Sequence, residues 1–213
     1  MYFELTSDQE TFRDAVRGFA ERHLREGALA RALSPEHPWD VAKLMAEQGL
    51  LGITLAERDG GQGGTLMDAV IAIETIALVC PKSADVIQAR NFGAIRVLAE
   101  YGTDDRKARY LTRSLNGQGV VCVGMTEPEA GSAVTDLKTT ATPDNGGFRV
   151  NGEKIFTTHA SYADVMVVYV RFGPGVGGIG SVLSPIKAEG VKQGKPAHFM
   201  NGEEWVTTWF DNV

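Results

Sequence analysis

The sequence predicts an α+β chain of two domains. An all-α N-terminal domain spans residues 1–118, and an antiparallel β-barrel or sandwich spans residues 119–213. Up to Gly117 apolar residues recur at helical spacing. Beyond it come short runs rich in β-branched and aromatic residues, separated by Gly, Asn, Asp and Pro. No helical stretch separates those runs, which argues against a doubly wound parallel sheet.

The helices follow in order. Thr6 with Gln9 has the form of a capping box, and Phe12, Val16, Phe19, Ala20 and Leu24 behind it repeat on one helical face. Pro38 suits the first turn of a second helix whose apolar stripe is Val41, Leu44 and Met45 and which Gly49 ends. A third helix begins near Thr65. Its "LMDAVIAIETIALV" is apolar almost all round, which places it in the middle of a bundle rather than on a surface. Pro81 opens a fourth, through Val86, Val97 and Leu98 to Gly102, and a shorter fifth runs from Asp104 towards Leu115.

The predicted strands are "VVCVGMT", "FRVNGEKIFTT", "ADVMVVYVRF", "IGSVLS" and "EWVTTWF". Asp144-Asn145-Gly146-Gly147 and Asn151-Gly152 read as turns, because Asn and Gly tolerate positive φ. The change of period across "LNGQGV" sets the domain boundary at Gly117 to Gly119.

Composition narrows the function. With 43% hydrophobic and 23% charged residues the 213-residue chain has an ordinary globular make-up. A net charge of −6 without a basic stripe argues against a nucleic-acid partner. Cys80 and Cys122 both lie in apolar runs and read as buried thiols of a reducing compartment. "MYFELTSDQE" is neither a signal nor a transit peptide, and Leu66 to Cys80, carrying Asp68 and Glu74, is too short for a membrane span. The expectation is a soluble, cytoplasmic protein.

Several chemistries fail on local grounds. "GGQGG" lacks the Lys-Ser/Thr ending of a P-loop. "GPGVGG" matches a dinucleotide fingerprint in letters, yet "IGSVLSP" follows it where that chemistry needs a helix N-terminus, so it reads as a hairpin loop. His23, His37, His159 and His198 show no ligand spacing, and no metal is expected. No Gly-x-Ser-x-Gly elbow occurs.

Two segments remain, "CVGMTEPEAGS" and, about 20 residues further on, "NGEKIFTTHASYAD". In this order they resemble the two signature segments of the acyl-CoA dehydrogenase family, close to (V/C)-x-x-T-E-P-x-A-G-S-D and N-G-x-K-x-(W/F)-I-T-N. The helical first half, "GGQGG", "YG" at Gly102 and the closing "FDNV" follow the family's order too. The sequence departs from the pattern in having Ala133 where Asp is usual and Thr157 and His159 around Thr158.

The resemblance implies FAD as cofactor and an acyl-CoA thioester as substrate. A carboxylate takes the α proton and the flavin takes hydride from the β carbon, as in fatty acid oxidation. It also implies an electron-transfer flavoprotein as electron acceptor and an oligomeric complete enzyme. Val123, Gly124, Met125 and Thr126 would run along the flavin edge, with Thr126 at the pyrimidine ring. Gly131 and Ser132 would form the turn where CoA and flavin phosphates approach, Ser132 meeting substrate too. Phe156 would cover a flavin face, with Thr157 beside it and Thr158 near the flavin's reactive nitrogen. The catalytic glutamate is expected in a further helical domain beyond Val213. The same scaffold would also suit a flavin oxidase, monooxygenase or desulfinase, or a non-catalytic acyl-CoA-binding subunit.

Overall fold

The computed structural model describes residues 4–213. The chain divides into two compact units. One comprises residues up to Gly119 with Phe199–Glu203, and the other comprises Val120–His198 with Glu204–Val213.

The first unit is helical. Helix α1 (Ser7–His23) opens on the expected capping box: the Thr6 hydroxyl accepts from the Gln9 amide at 3.3 Å, and the Gln9 side chain accepts from the Thr6 amide at 3.0 Å. Helix α2 (Ala28–Leu33), which sequence patterning missed, is one and a half turns long with no side-chain cap. Helices α3 (Trp39–Glu47) and α4 (Leu66–Ala77) follow, and Thr65 and Asp68 close a second capping box on α4. The expected helix from Pro81 to Gly102 is two, α5 (Pro81–Gln88) and α6 (Ala94–Tyr101), broken before Gly93 at φ 65°. Helix α7 (Asp104–Arg106), a π-helical turn (Lys107–Leu111) and α8 (Thr112–Leu115) complete the unit.

Helix α4 is not enclosed as its composition predicts. Ala69, Ile71, Ala72, Thr75 and Ile76 are buried, but Leu66, Met67, Val70 and Leu78 lie exposed along the other face. A cleft of about 520 Å³ runs beside them, lined by Leu5, Ile71, Arg13 and Arg17 among others. An all-round apolar sequence says that a helix can be covered on every side. It does not say that these residues do the covering.

The second unit is a curled sheet of β1 (Val121–Gly124), β2 (Thr140–Asp144), β3 (Gly147–Thr158), β4 (Val165–Arg171), β5 (Ile179–Pro185), β6 (Val191–Gln193), β7 (Ala197–His198) and β8 (Glu204–Phe210), ordered β1-β4-β2-β3-β8-β6 with β5 on β4 and β7 on β8. The pairings are antiparallel except β1–β4 and the single β2–β4 bridge. Val120, Cys122, Val150, Met166, Val168 and Phe210 are among its core. Asn145 (φ 46°) and Gly146 (φ 81°) make the expected tight turn between β2 and β3. The segment Gly173–Gly178 is the loop between antiparallel β4 and β5, a hairpin connection with no helix after it.

Asn151-Gly152 is not a turn. Both residues lie inside β3, which pairs with β2 up to Asn151 and with β8 from Gly152 onward. The strand changes partner at Gly152, where a Cβ would stand 2.5 Å from Thr139 Oγ1 and 2.7 Å from Thr139 Cα. The glycine marks a close backbone approach, a second reason for Gly that looks like turn chemistry in sequence.

We propose a domain boundary between residues 118 and 119, one residue before the point at which the two units divide. The division is not a loose linker. A Cβ on Gly117 would lie 2.5 Å from the Ala42 backbone, and the buried Gly119 carbonyl accepts from Arg90 at 2.9 Å. Limited proteolysis is therefore expected to cut first within Gly173–Gly178, where Val176 is 70% exposed. A first cut between 117 and 119 would contradict the packing described.

Candidate flavin-facing site

The two signature segments meet in the sheet unit. Strand β1 pairs with β4, Val123 opposite Val167 and Gly124 opposite Val168, and runs out into half-buried Met125 and Thr126. There the Thr126 carbonyl accepts the Ile155 amide at 2.9 Å, so the exit of β1 is tied to β3 one residue before Phe156. Glu127 and Ala130 exchange backbone hydrogen bonds at 3.1 and 3.2 Å, which turns the chain at Pro128. Gly131 and Ser132 stand exposed beyond that turn, with open space where a Gly131 side chain would be.

A β-bulge shapes the second segment. Lys154 pairs with Thr208 and Thr157 with Val206, so β3 carries one more residue than β8 between these positions. Bulges of this kind re-aim side chains. Phe156 takes φ 53°, left-handed for a residue with a Cβ, and the residue is 54% exposed, with its ring 4.6 Å from the Trp205 ring at 59°. Holding that backbone costs on the order of 1 kcal/mol, offset by the surrounding ladder. Thr158 is half-buried. Thr157 is turned inward at 1% exposure, and its hydroxyl has no partner among the described residues. His159, at φ 67°, is held by Tyr162, with Nδ1 2.6 Å from the phenol oxygen.

Val123, Gly124 and Met125 thus lead along and out of β1 to Thr126, which is bonded to β3 at Ile155, and Phe156 and Thr158 follow on β3. Gly131 and Ser132 lie on the turn beyond Thr126, and Thr157 faces the interior. An open aromatic face beside a half-buried threonine, with an exposed Gly-Ser turn nearby in the chain, suits a flat conjugated ring with a phosphate-bearing tail.

Sequence reasoning missed the group that holds this junction. Glu127 is 6% exposed and Lys154 is fully buried, with Nζ 2.7 Å from Glu127 Oε1. The Thr139 amide donates to Oε1 at 2.9 Å and the Lys138 amide to Oε2 at 2.5 Å. Burial pushes the Glu127 carboxyl up, but hydrogen bonds from Lys154, Thr139 and Lys138 outweigh it and hold it below the ordinary range. Burial lowers Lys154, and Glu127 opposes that shift. Both carboxylate oxygens are committed, so Glu127 is not a free base. Lys at 154, 27 positions from Glu127, was the available signal.

A second titratable cluster lies in the helical unit. Burial first, and then the charge of Glu203, push the Asp85 carboxyl up to about 7, while Asn201 and Lys82 pull it down.

A family model described as the acyl-CoA dehydrogenase N-terminal domain matches residues 6–118, and one described as its middle domain matches residues 122–213. A short-chain specific acyl-CoA dehydrogenase of Clostridium acetobutylicum is 31% identical over 169 residues, 79% of this chain and 45% of that protein. A 3-sulfinopropanoyl-CoA desulfinase of Advenella mimigardefordensis is 28% identical over 204 residues, 93% of this chain and 50% of that protein. Among solved structures, the FAD complex of PigA aligns over 100% of this chain and 57% of that one, with TM-score 0.90 and 25% identity. The chain spans about half the length of the curated relatives it matches. With both domain models matched in order, over a helical unit and then a curled sheet, the chain belongs to the acyl-CoA dehydrogenase family.

Proposed function

We propose that these residues form the N-terminal and middle parts of an FAD-dependent acyl-CoA dehydrogenase, which desaturates an acyl-CoA thioester between its α and β carbons. The observation that carries this reading is the junction at which Thr126 is bonded to Ile155 and the bulge exposes Phe156. FAD, when bound, supplies the acceptor for the hydride leaving the β carbon. Phe156, braced by Trp205, offers the stacking face. Thr126 and Thr158 donate hydrogen bonds where negative charge accumulates on reduction. The Gly131-Ser132 turn offers backbone amides to phosphate.

Glu127 is committed to Lys154 and two amides and does not supply the base that removes the α proton, which we place outside these residues. Electrons then leave to an electron-transfer flavoprotein, and the complete enzyme is an oligomer. A desulfinase on the same scaffold is the second reading, favoured by the similarity to the Advenella mimigardefordensis protein. Anaerobic titration of the complete enzyme with saturated acyl-CoAs and with 3-sulfinopropanoyl-CoA separates the two. Flavin bleaching by the former supports the dehydrogenase, and sulfite release without bleaching the desulfinase.

In the complete enzyme, Thr158→Val is expected to slow flavin reduction while leaving acyl-CoA affinity nearly unchanged. Losing one such donor costs about 2.7 kcal/mol of transition-state stabilisation, roughly a hundredfold in rate, the low end applying because the backbone amide stays. Single-turnover reduction kinetics check it, and an unchanged rate removes Thr158 from the reaction.

A further inference from the structure

We infer that Lys154 is a positioning residue that strengthens the Thr126 amide as a hydrogen-bond donor to reduced flavin, through the peptide it shares with Met125. The inference rests on the flavin-facing role of Thr126 proposed above. Besides its bond to Glu127, Lys154 Nζ donates to the Met125 carbonyl at 3.2 Å. That carbonyl belongs to the same peptide group as the Thr126 N–H. A cation at the oxygen end of a peptide draws electron density from the nitrogen end, so its N–H becomes a stronger donor. The other face of Thr126 is fixed, because its carbonyl accepts from Ile155.

Three features argue that this contact does more than hold the fold. A buried ion pair rarely stabilises more than an apolar pair of the same volume, so packing alone does not require Lys154. Glu127 is fixed by the Lys138 and Thr139 amides, so the ammonium is directed rather than merely neutralised. Finally, Gly124 leaves room for the lysine stem: a Cβ there would stand 3.2 Å from Lys154 Cγ and 2.5 Å from Met166 Sδ. The stem passes beneath β1 to reach the peptide that follows it.

The consequence is differential. A stronger Thr126 donor favours the reduced, more negative flavin over the oxidised one. The complete enzyme, stripped of its flavin, is to be titrated with oxidised and with dithionite-reduced FAD under anaerobic conditions, alongside Lys154→Met and the double variant Glu127→Gln/Lys154→Met. The double variant removes the lysine without leaving a buried carboxylate short of a partner. Both variants are expected to lose about tenfold more affinity for reduced than for oxidised FAD, equivalent to roughly 30 mV for a two-electron couple. On ¹⁵N-labelled protein without FAD, the Thr126 amide proton should move upfield in both variants while the spectrum stays dispersed. Equal weakening for both redox states, or a Thr126 amide unmoved by loss of the lysine, overturns the inference and leaves the flavin site standing. A shifted amide with no FAD binding by the unmodified complete enzyme in either state overturns the flavin-facing reading, and the inference falls with it.

Discussion

Arg90→Met is expected to destabilise the helical unit by about 3–5 kcal/mol, enough to lower its thermal midpoint by on the order of 10 °C. Arg90 follows α5 and is fully buried. Its Nε donates to the Ser114 carbonyl at 3.1 Å, Nη1 to Val86 at 3.2 Å and Nη2 to Gly119 at 2.9 Å, with His37 Nε2 3.3 Å away. One planar donor fork therefore joins the end of α5, the last helix and the residue that leads into the sheet. Methionine fills much of the volume but leaves the Ser114 and Gly119 carbonyls buried without this donor, and the cost falls on them. Arg90→Lys should recover only part of the loss, since a single ammonium cannot span the same carbonyls. Urea unfolding followed by helical circular dichroism measures it. A loss under about 1 kcal/mol would mean that water replaces the guanidinium and that the clamp is not what holds these elements.

Arg90 also shows where sequence reading stops. Its neighbours read as an ordinary amphipathic helix, and nothing local says that the side chain turns inward to meet residues 24 and 29 positions away. Local signals did carry through. Thr6 with Gln9, Pro81 at a helix start and the Asn145-Gly146 turn each depend on a few neighbouring residues, and each stands as the pattern implied. The same reasoning failed at Asn151-Gly152, because a glycine required by the close approach of Thr139 has the same letters as a glycine required by a turn. The helix α2 carried too little pattern to see.

The candidate site divides in the same way. The two segments were legible as motifs, but the Thr126–Ile155 bond that joins them was not. The bulge that exposes Phe156 was not legible, since it depends on the register of β3 against a strand some 50 residues later. Nor was the inward turn of Thr157, which follows from that register. Nothing near Glu127 in sequence marks it as a buried anion, and only its distant partner Lys154 shows that it is one.

The second large effect concerns the 213-residue chain by itself, and it follows from how little of a flavin site the proposed residues of the sheet unit would supply. On the proposed reading Met125, Thr126, Phe156 and Thr158 would offer one edge and one stacking face, while 43% of the PigA chain has no counterpart here, given that the alignment covers 57% of it. Affinity built from two partial surfaces falls steeply when one is missing, because the loss of ligand freedom on binding stays while much of the interaction is gone. The exposed Leu66, Met67 and Val70 on α4, with Leu78 just after it, add an apolar patch that favours self-association. The isolated chain is thus expected to purify largely colourless, to bind added FAD only weakly and to show no flavin bleaching with any acyl-CoA. Visible absorbance of the purified protein, followed by anaerobic titration with acyl-CoAs of several chain lengths, is the measurement. Glu127 cannot supply the base without giving up Lys154 and two amides, so bleaching of a stoichiometrically yellow chain would require another carboxylate within these residues, or on a copurifying partner, to reach the substrate.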